Sequence, residues 1–234
     1  MIQQLSPAPV TVLGMGPMGR AIASAFLAAG HPTTVWNRTA DKANELLARG
    51  AVWAGSPLAA LDAGELVIVC VIDANAVDAI FDRALAESGR SRLPGTRLVN
   101  LTSEGPGRTR ELAARADELG VLYLDGSIMT PAAAIGTEAT RILYSGPVVL
   151  FDRHRHTPAA LGGAAVHLGD DPGRAASFHI VHALEEAGVS PAVTQAAKNT
   201  VDAAVSAGHE GDSAARLAEF LGRGHTNRDP QAAG

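Results

Sequence analysis

Residues 9–38 constrain this chain more than any other stretch. A short apolar run, Val10-Thr11-Val12-Leu13, enters Gly14-Met15-Gly16-Pro17-Met18-Gly19. A helix-like segment follows to Gly30, and a second apolar run, Thr33-Thr34-Val35-Trp36, ends on Asn37-Arg38-Thr39. The order is strand, glycine turn, helix, strand, with G-x-G-x-x-G at the first strand–helix junction. Gly14 lets the chain turn sharply, Gly16 lets backbone N–H groups approach a pyrophosphate, and Gly19 lets the helix pack close to the sheet. The positive end of that helix then faces the phosphates. The competing reading is a merely glycine-rich turn, but strands on both sides favour a dinucleotide site built on Gly14, Gly16, Pro17 and Met18.

The end of the second strand selects the cofactor. An NAD site usually places Asp or Glu there, to accept hydrogen bonds from the ribose 2′-hydroxyl. This chain has Asn37-Arg38-Thr39, with Lys42 one turn on. A carboxylate would repel a 2′-phosphate, whereas Arg38 can pair with it through its planar fork and stack on adenine. The alternative is a solvated arginine at a helix start, where a positive charge is mildly unfavourable. NADPH is therefore the expected cofactor. Trp36, just before Asn37, is expected to pack the adenosine side of the sheet.

Length and composition narrow the class. The 234 residues can hold one ordinary domain plus a smaller second one. A hydrophobic fraction of 47% and a mean hydropathy of +0.11 suit a well-buried globular protein. No run approaches the roughly 18 apolar residues of a membrane span, and residues 1–9 lack the pattern of a signal peptide. Cys70 is the only cysteine, which excludes an intrachain disulfide and makes the cytoplasm the expected location. A net charge of −5 with no basic stripe argues against nucleic acid as a partner. The only lysines are Lys42 and Lys198.

Apolar runs bounded by turn residues recur at 10–13, 33–36, 51–53, 66–71, 97–101, 121–124, 141–144 and 165–168. Alanine-rich amphipathic stretches lie between most of them, at 18–29, 40–49, 74–87, 106–119 and 150–161. This alternation predicts an α/β fold of Rossmann type, a mostly parallel sheet with helices on both faces. Continuous apolar runs such as Leu66-Val67-Ile68-Val69-Cys70-Val71 suit strands buried on both sides. After Gly169 only helical segments remain, at 174–187, 192–207 and 213–221, with Gly188 and Gly208 at expected C-caps. The expected domains are a dinucleotide-binding unit at 1–169 and a small all-helical unit at 174–222. The polar tail, 225–234, is expected to fray.

Ligands in a doubly wound sheet sit beyond the carboxyl ends of the strands. The segments expected there are 14–18, 37–39, 71–73, 100–103 and 125–130. Asn100-Leu101-Thr102-Ser103 either supplies amide and hydroxyl groups near a nicotinamide ribose or caps the following helix. Residues 125–131 either line a substrate pocket, floored by Ile128 and Met129, or form a core loop. Tyr123 and Tyr144 fall in strands and are expected in the core or at the sheet edge. His179 and His182, with Glu185 and Glu186 following, have a spacing that can bind metal. An exposed helical face is the commoner cause, and no metal is expected.

Several of these segments together resemble the imine reductase and reductive aminase family, cousins of the β-hydroxyacid dehydrogenases. The matching pieces are the Gly14–Gly19 loop, Val35-Trp36-Asn37-Arg38-Thr39 with Lys42-Ala43, Val69-Cys70-Val71, and Leu98-Val99-Asn100-Leu101-Thr102-Ser103. Further pieces are Tyr123-Leu124-Asp125-Gly126-Ser127-Ile128-Met129, Ile135-Gly136-Thr137, Ile142-Leu143-Tyr144-Ser145-Gly146 and Leu168-Gly169-Asp170. The resemblance covers nearly all of 9–173. It implies that Gly14, Gly16, Met18, Asn37, Arg38, Thr39 and Lys42 hold NADPH, with Val71, Asn100 and Thr102 near its nicotinamide end. It also implies reduction of an imine, or of a carbonyl plus amine, to an amine by a homodimer. The alternatives are a β-hydroxyacid dehydrogenase-like oxidoreductase and a cofactor-binding homologue without reductase activity. The first is weakened because the cousins' catalytic lysine would fall near 174–178, where there is none.

The resemblance changes character after Gly173. Family members have a long interdomain helix whose early turns carry an Asp or Tyr proposed as proton donor. Here Asp171-Pro172-Gly173-Arg174-Ala175-Ala176-Ser177 begins like that helix, while 179–221 resembles the family's last helices. No Asp or Tyr stands at the donor position, so the catalytic residue is unassigned. A segment left out between Arg174 and Val181 is the favoured explanation, ahead of a short form or a cofactor-binding homologue. It predicts neighbouring Cα atoms there much farther apart than the ~3.8 Å of a trans peptide.

Overall fold

The computed structural model describes residues 7–154, 156–188, 190 and 192. Its strands are β1 (Val10–Leu13), β2 (Thr33–Trp36), β3 (Val52–Trp53), β4 (Leu66–Val69), β5 (Arg97–Asn100), β6 (Leu122–Ile128), β7 (Arg141–Ser145) and β8 (Ala164–His167). They form one sheet in the order β3-β2-β1-β4-β5-β6-β7-β8. Every neighbouring pair is parallel except β6 with β7. The helices are α1 (Pro17–Ala28), α2 (Asn44–Ala48), α3 (Pro57–Ala63), α4 (Ala74–Ser88), α5 (Pro106–Glu118), α6 (Val148–His154), α7 (His156–Ala159) and α8 (Arg174–Glu186).

The period of two in a strand divides the core into two layers. Leu66 and Ile68 of β4 join Val10, Val12, Ile22 and Phe26 in one layer. Val67 and Val69 join Leu13, Val77, Phe81 and Leu112 in the other. Burial on both faces is why β1 and β4 carry no exposed residue along their length. Tyr123 and Tyr144 are both core residues, as expected, one in each layer.

The sheet follows the apolar runs closely, and four details differ. The 40–49 segment is a 3-10 turn at Ala40–Ala43 continued by α2. The 150–161 segment is the two helices α6 and α7. Helix α3 lies outside the amphipathic stretches; Ser56 caps it by accepting from the Ala59 amide at 3.1 Å, and Pro57 opens its first turn. Residues Asp125 to Ile128, expected to have left their strand, remain in β6. Antiparallel pairing with β7 extends the strand, placing Asp125 opposite Ser145 and Ile128 opposite Ile142.

The chain divides into two compact units, at Ile180 and Val181. Helix α8 runs from Arg174 to Glu186. Asp171 prepares its start, accepting from the Gly173 amide at 3.0 Å and from Arg110 in a two-pronged pair at 2.8 Å. That pair holds the Asp171 carboxyl down, at a pKa of about 2. Ser145 at the end of β7 donates to the Pro172 carbonyl at 2.8 Å and accepts from the Ala175 amide at 3.0 Å. Apart from residue 192, the helices expected at 192–207 and 213–221, the Gly208 cap and the 225–234 tail lie outside the described residues.

Candidate functional site

Strand order reverses at β1 and β4: β2 and β3 lie to one side of β1, and β4 onwards to the other. A ligand bound beyond the carboxyl ends of the strands therefore crosses the β1–α1 turn. The three glycines of that turn meet different surroundings. A Cβ on Gly14, whose φ is +103°, would lie 2.1 Å from the Cys70 carbonyl oxygen. One on Gly19 would lie 1.7 Å from the Gly14 oxygen. One on Gly16 would meet nothing within 4 Å. Packing requires the outer two, whereas the middle one is bare toward the crevice, as close approach of a phosphate to backbone requires. Helix α1 starts there, with Pro17 in its first turn, no acidic residue in that turn and no capping side chain on its amides.

The end of β2 is fastened to this loop. The Met15 amide donates to Asn37 Oδ1 at 3.0 Å, and Asn37 Nδ2 donates to the Thr39 carbonyl at 2.8 Å. Arg20 holds the loop from behind through the Met15 carbonyl, also at 3.0 Å. Arg38, Thr39 and Lys42 stand exposed beyond Asn37, and among the described residues no carboxylate pairs with either cation. Beside Arg38 lies a cleft of about 420 Å³, walled by Trp36, Asn37, Ser56, Arg83 and Glu87. Trp36 keeps only 8% of its surface. Arg83 brings a second guanidinium to this cleft. Its position on α4 carries no local sequence signal, because the cleft depends on α3, which is too short to show an amphipathic period.

On the other side of the turn, the chain runs on from β4 to Val71 and from the end of β5 at Asn100 through Leu101 to Thr102. Asn100 and Thr102 are buried, and their side chains are engaged within the protein. Asn100 Oδ1 accepts from the Thr102 amide at 3.1 Å, and Thr102 Oγ1 accepts from the Val71 amide at 3.2 Å. Asn100 Nδ2 donates to the Tyr123 hydroxyl at 2.9 Å, and that hydroxyl lies 3.4 Å from Asp125 Oδ1. Burial pushes the Asp125 carboxyl up to about 8 and the Tyr123 phenol well above its ordinary value. Ile128, Met129 and Thr130 are half-buried along the far side.

Among the described residues, no three metal-ligating side chains converge. His182 faces Glu186 at 3.4 Å within its own helix. Nor is any described helix long and apolar enough to cross a membrane.

Comparison with known proteins matches both parts of the chain. Residues 9–169 fit the family profile of the NAD binding domain of 6-phosphogluconate dehydrogenase. Residues 171–223 fit that of the NADPH-dependent reductive aminase-like C-terminal domain. An NADPH-dependent reductive aminase of Aspergillus oryzae is 34% identical over 170 residues, which are 73% of this chain and 56% of that protein. The chain thus spans about half the length of the curated relatives it matches. An imine reductase variant from Myxococcus stipitatus, solved with NAD+, superposes with a TM-score of 0.72 at 31% identity, over 92% of this chain and 71% of that one. A reductive aminase from Aspergillus terreus, solved with NADPH and ethyl levulinate, gives 0.72 at 34% identity over 93% and 70%.

Proposed function

Because the chain belongs to the imine reductase and reductive aminase family, we propose that it binds NADPH and reduces imines or iminium ions to amines. The observation that carries the cofactor half is the crevice itself: a middle glycine bare of protein neighbours beside a guanidinium and an ammonium that pair with no described carboxylate. Arg38 and Lys42 would hold the 2′-phosphate, and the loop of Gly14, Gly16, Pro17 and Met18 the pyrophosphate. Val71, Asn100 and Thr102 would shape the nicotinamide end. NADPH, when bound, supplies the hydride. The chain's own contribution is to orient the acceptor carbon and keep water out, with Ile128 and Met129 as an apolar floor.

Homodimerisation and a cytoplasmic location complete the reading. Dimerisation is supported by apolar residues left exposed on α8, Phe178 at 56% and Val181 at 42%. A division into a cofactor domain, 1–169, and a helical unit, 174–222, is supported by family profiles that meet between 169 and 171. A second reading, a cofactor-binding homologue without turnover, is favoured by Arg174-Ala175-Ala176-Ser177-Phe178, which carries no carboxyl or phenol. Absorbance of NADPH separates the two. Oxidation with cyclic imines supports reduction, tight binding without oxidation supports the second reading, and reverse turnover of β-hydroxy acids alone overturns both.

A further inference from the structure

Behind the carboxyl ends of β4, β5 and β6, polar side chains form one directed chain through an otherwise apolar layer. Register puts Val69 beside Asn100 and Asn100 beside Asp125. Tyr123 has a single proton. Asp125 Oδ1, at 3.4 Å, takes it, which leaves the phenol oxygen to accept from Asn100 Nδ2 at 2.9 Å. The same orientation of Asn100 turns its Oδ1 toward the Thr102 amide, which can only donate, at 3.1 Å. Thr102 Oγ1 in turn accepts from the Val71 amide at 3.2 Å, and its own hydrogen has no acceptor among the described residues. Every member of the chain from Asp125 to Thr102 is buried, so a reversed amide or hydroxyl would leave a donor or acceptor unmade.

The sheet order says what lies at the free end. With the 2′-phosphate end at β2 and the pyrophosphate at the β1–α1 turn, the remaining half of a dinucleotide must extend over β4 and β5. We propose that Tyr123 and Asp125 are positioning residues of the cofactor site, polarising this chain so that Thr102 presents its hydroxyl hydrogen to the reactive end of the dinucleotide and Val71 is held beside it. The inference rests on the NADPH reading above. At neutral pH the Asp125 carboxyl is a neutral acid, because burial raises its pKa to about 8. Its carbonyl oxygen is the acceptor Tyr123 needs, and an asparagine amide can replace it.

Dissociation constants for NADPH and for 2′,5′-ADP, read from tryptophan fluorescence, test this. The second ligand reaches only the Arg38 end. Tyr123→Phe and Asp125→Leu should each weaken NADPH about tenfold, as loss of a buried hydrogen-bond partner does, with 2′,5′-ADP unchanged within about twofold. Asp125→Asn, which keeps the acceptor, should hold NADPH within about threefold of the parent. Equal weakening of both ligands, or none of either, overturns the proposal. Should Tyr123→Phe fail to fold, the contrast between Asp125→Asn and Asp125→Leu decides alone. A parent protein that binds neither ligand removes the cofactor reading itself, an outcome distinct from variants that behave like the parent.

Discussion

At the scale of single residues, Arg38 and Asp125 do opposite things with charge. Arg38 is exposed and pairs with no described carboxylate, so its guanidinium is at hand for an incoming phosphate. On the proposed reading, replacing it with Asp would exchange a two-pronged charged contact with the 2′-phosphate for repulsion. Charge-assisted hydrogen bonds contribute about 1.5–3 kcal/mol, so NADPH affinity should fall tenfold or more while NADH affinity changes little, measurable by titration of both cofactors. Asp125 is buried, and its pKa rises from 3.8 to about 8. The folded protein therefore holds a proton that the unfolded chain releases, and this site costs stability progressively as pH climbs from about 4 to about 8. Asp125→Asn removes that dependence. Its gain over the parent in urea denaturation should grow by about 2–3 kcal/mol between pH 5 and pH 7, at about 1.4 kcal/mol per unit. The motif residues were legible because glycine spacing and the end of β2 carry local rules. The hydrogen bonds that use Tyr123 and Asp125 were not, since they join two strands, β5 and β6, whose pairing no local pattern states.

At the scale of elements, the sheet was legible because each strand is a short apolar run between turn residues. Helix α3 was not, although Ser56-Pro57 is a start signal in plain view, because seven residues offer too little amphipathic period. The length of β6 escaped for another reason. Residues 125–131 read as a pocket lining or a core loop, yet β7 supplies an antiparallel partner through Ile128, and a Cβ on Gly126 would lie 2.6 Å from Leu101 Cδ2. Ser145 shows what such pairing sets up, since its hydroxyl serves both the Pro172 carbonyl and the Ala175 amide. Ser145→Ala should orphan both backbone groups and lower the stability to urea by about 2–3 kcal/mol, without altering binding of 2′,5′-ADP.

For the whole molecule, the arrangement of helices on a mostly parallel sheet followed from alternation alone, whereas assembly depends on surfaces that alternation does not describe. Phe178, Ile180 and Val181 on α8 are each more than 40% exposed. Light scattering should therefore find a dimer, and Phe178→Asp should shift it toward monomer; a monodisperse parent monomer would count against the assembly. Cys70 gives the molecule one more property. It is the sole thiol in 234 residues, its amide is bonded to Leu13, and its carbonyl oxygen sits where a side chain on Gly14 would fall. Burial lifts its pKa to about 11, which leaves little thiolate to react while the fold is closed. Alkylation of this one sulfur is thus a clock for opening directly beneath the Gly14–Gly19 loop. It should run slow in the free protein, slower still with saturating NADPH, and fast once β4 parts from β1.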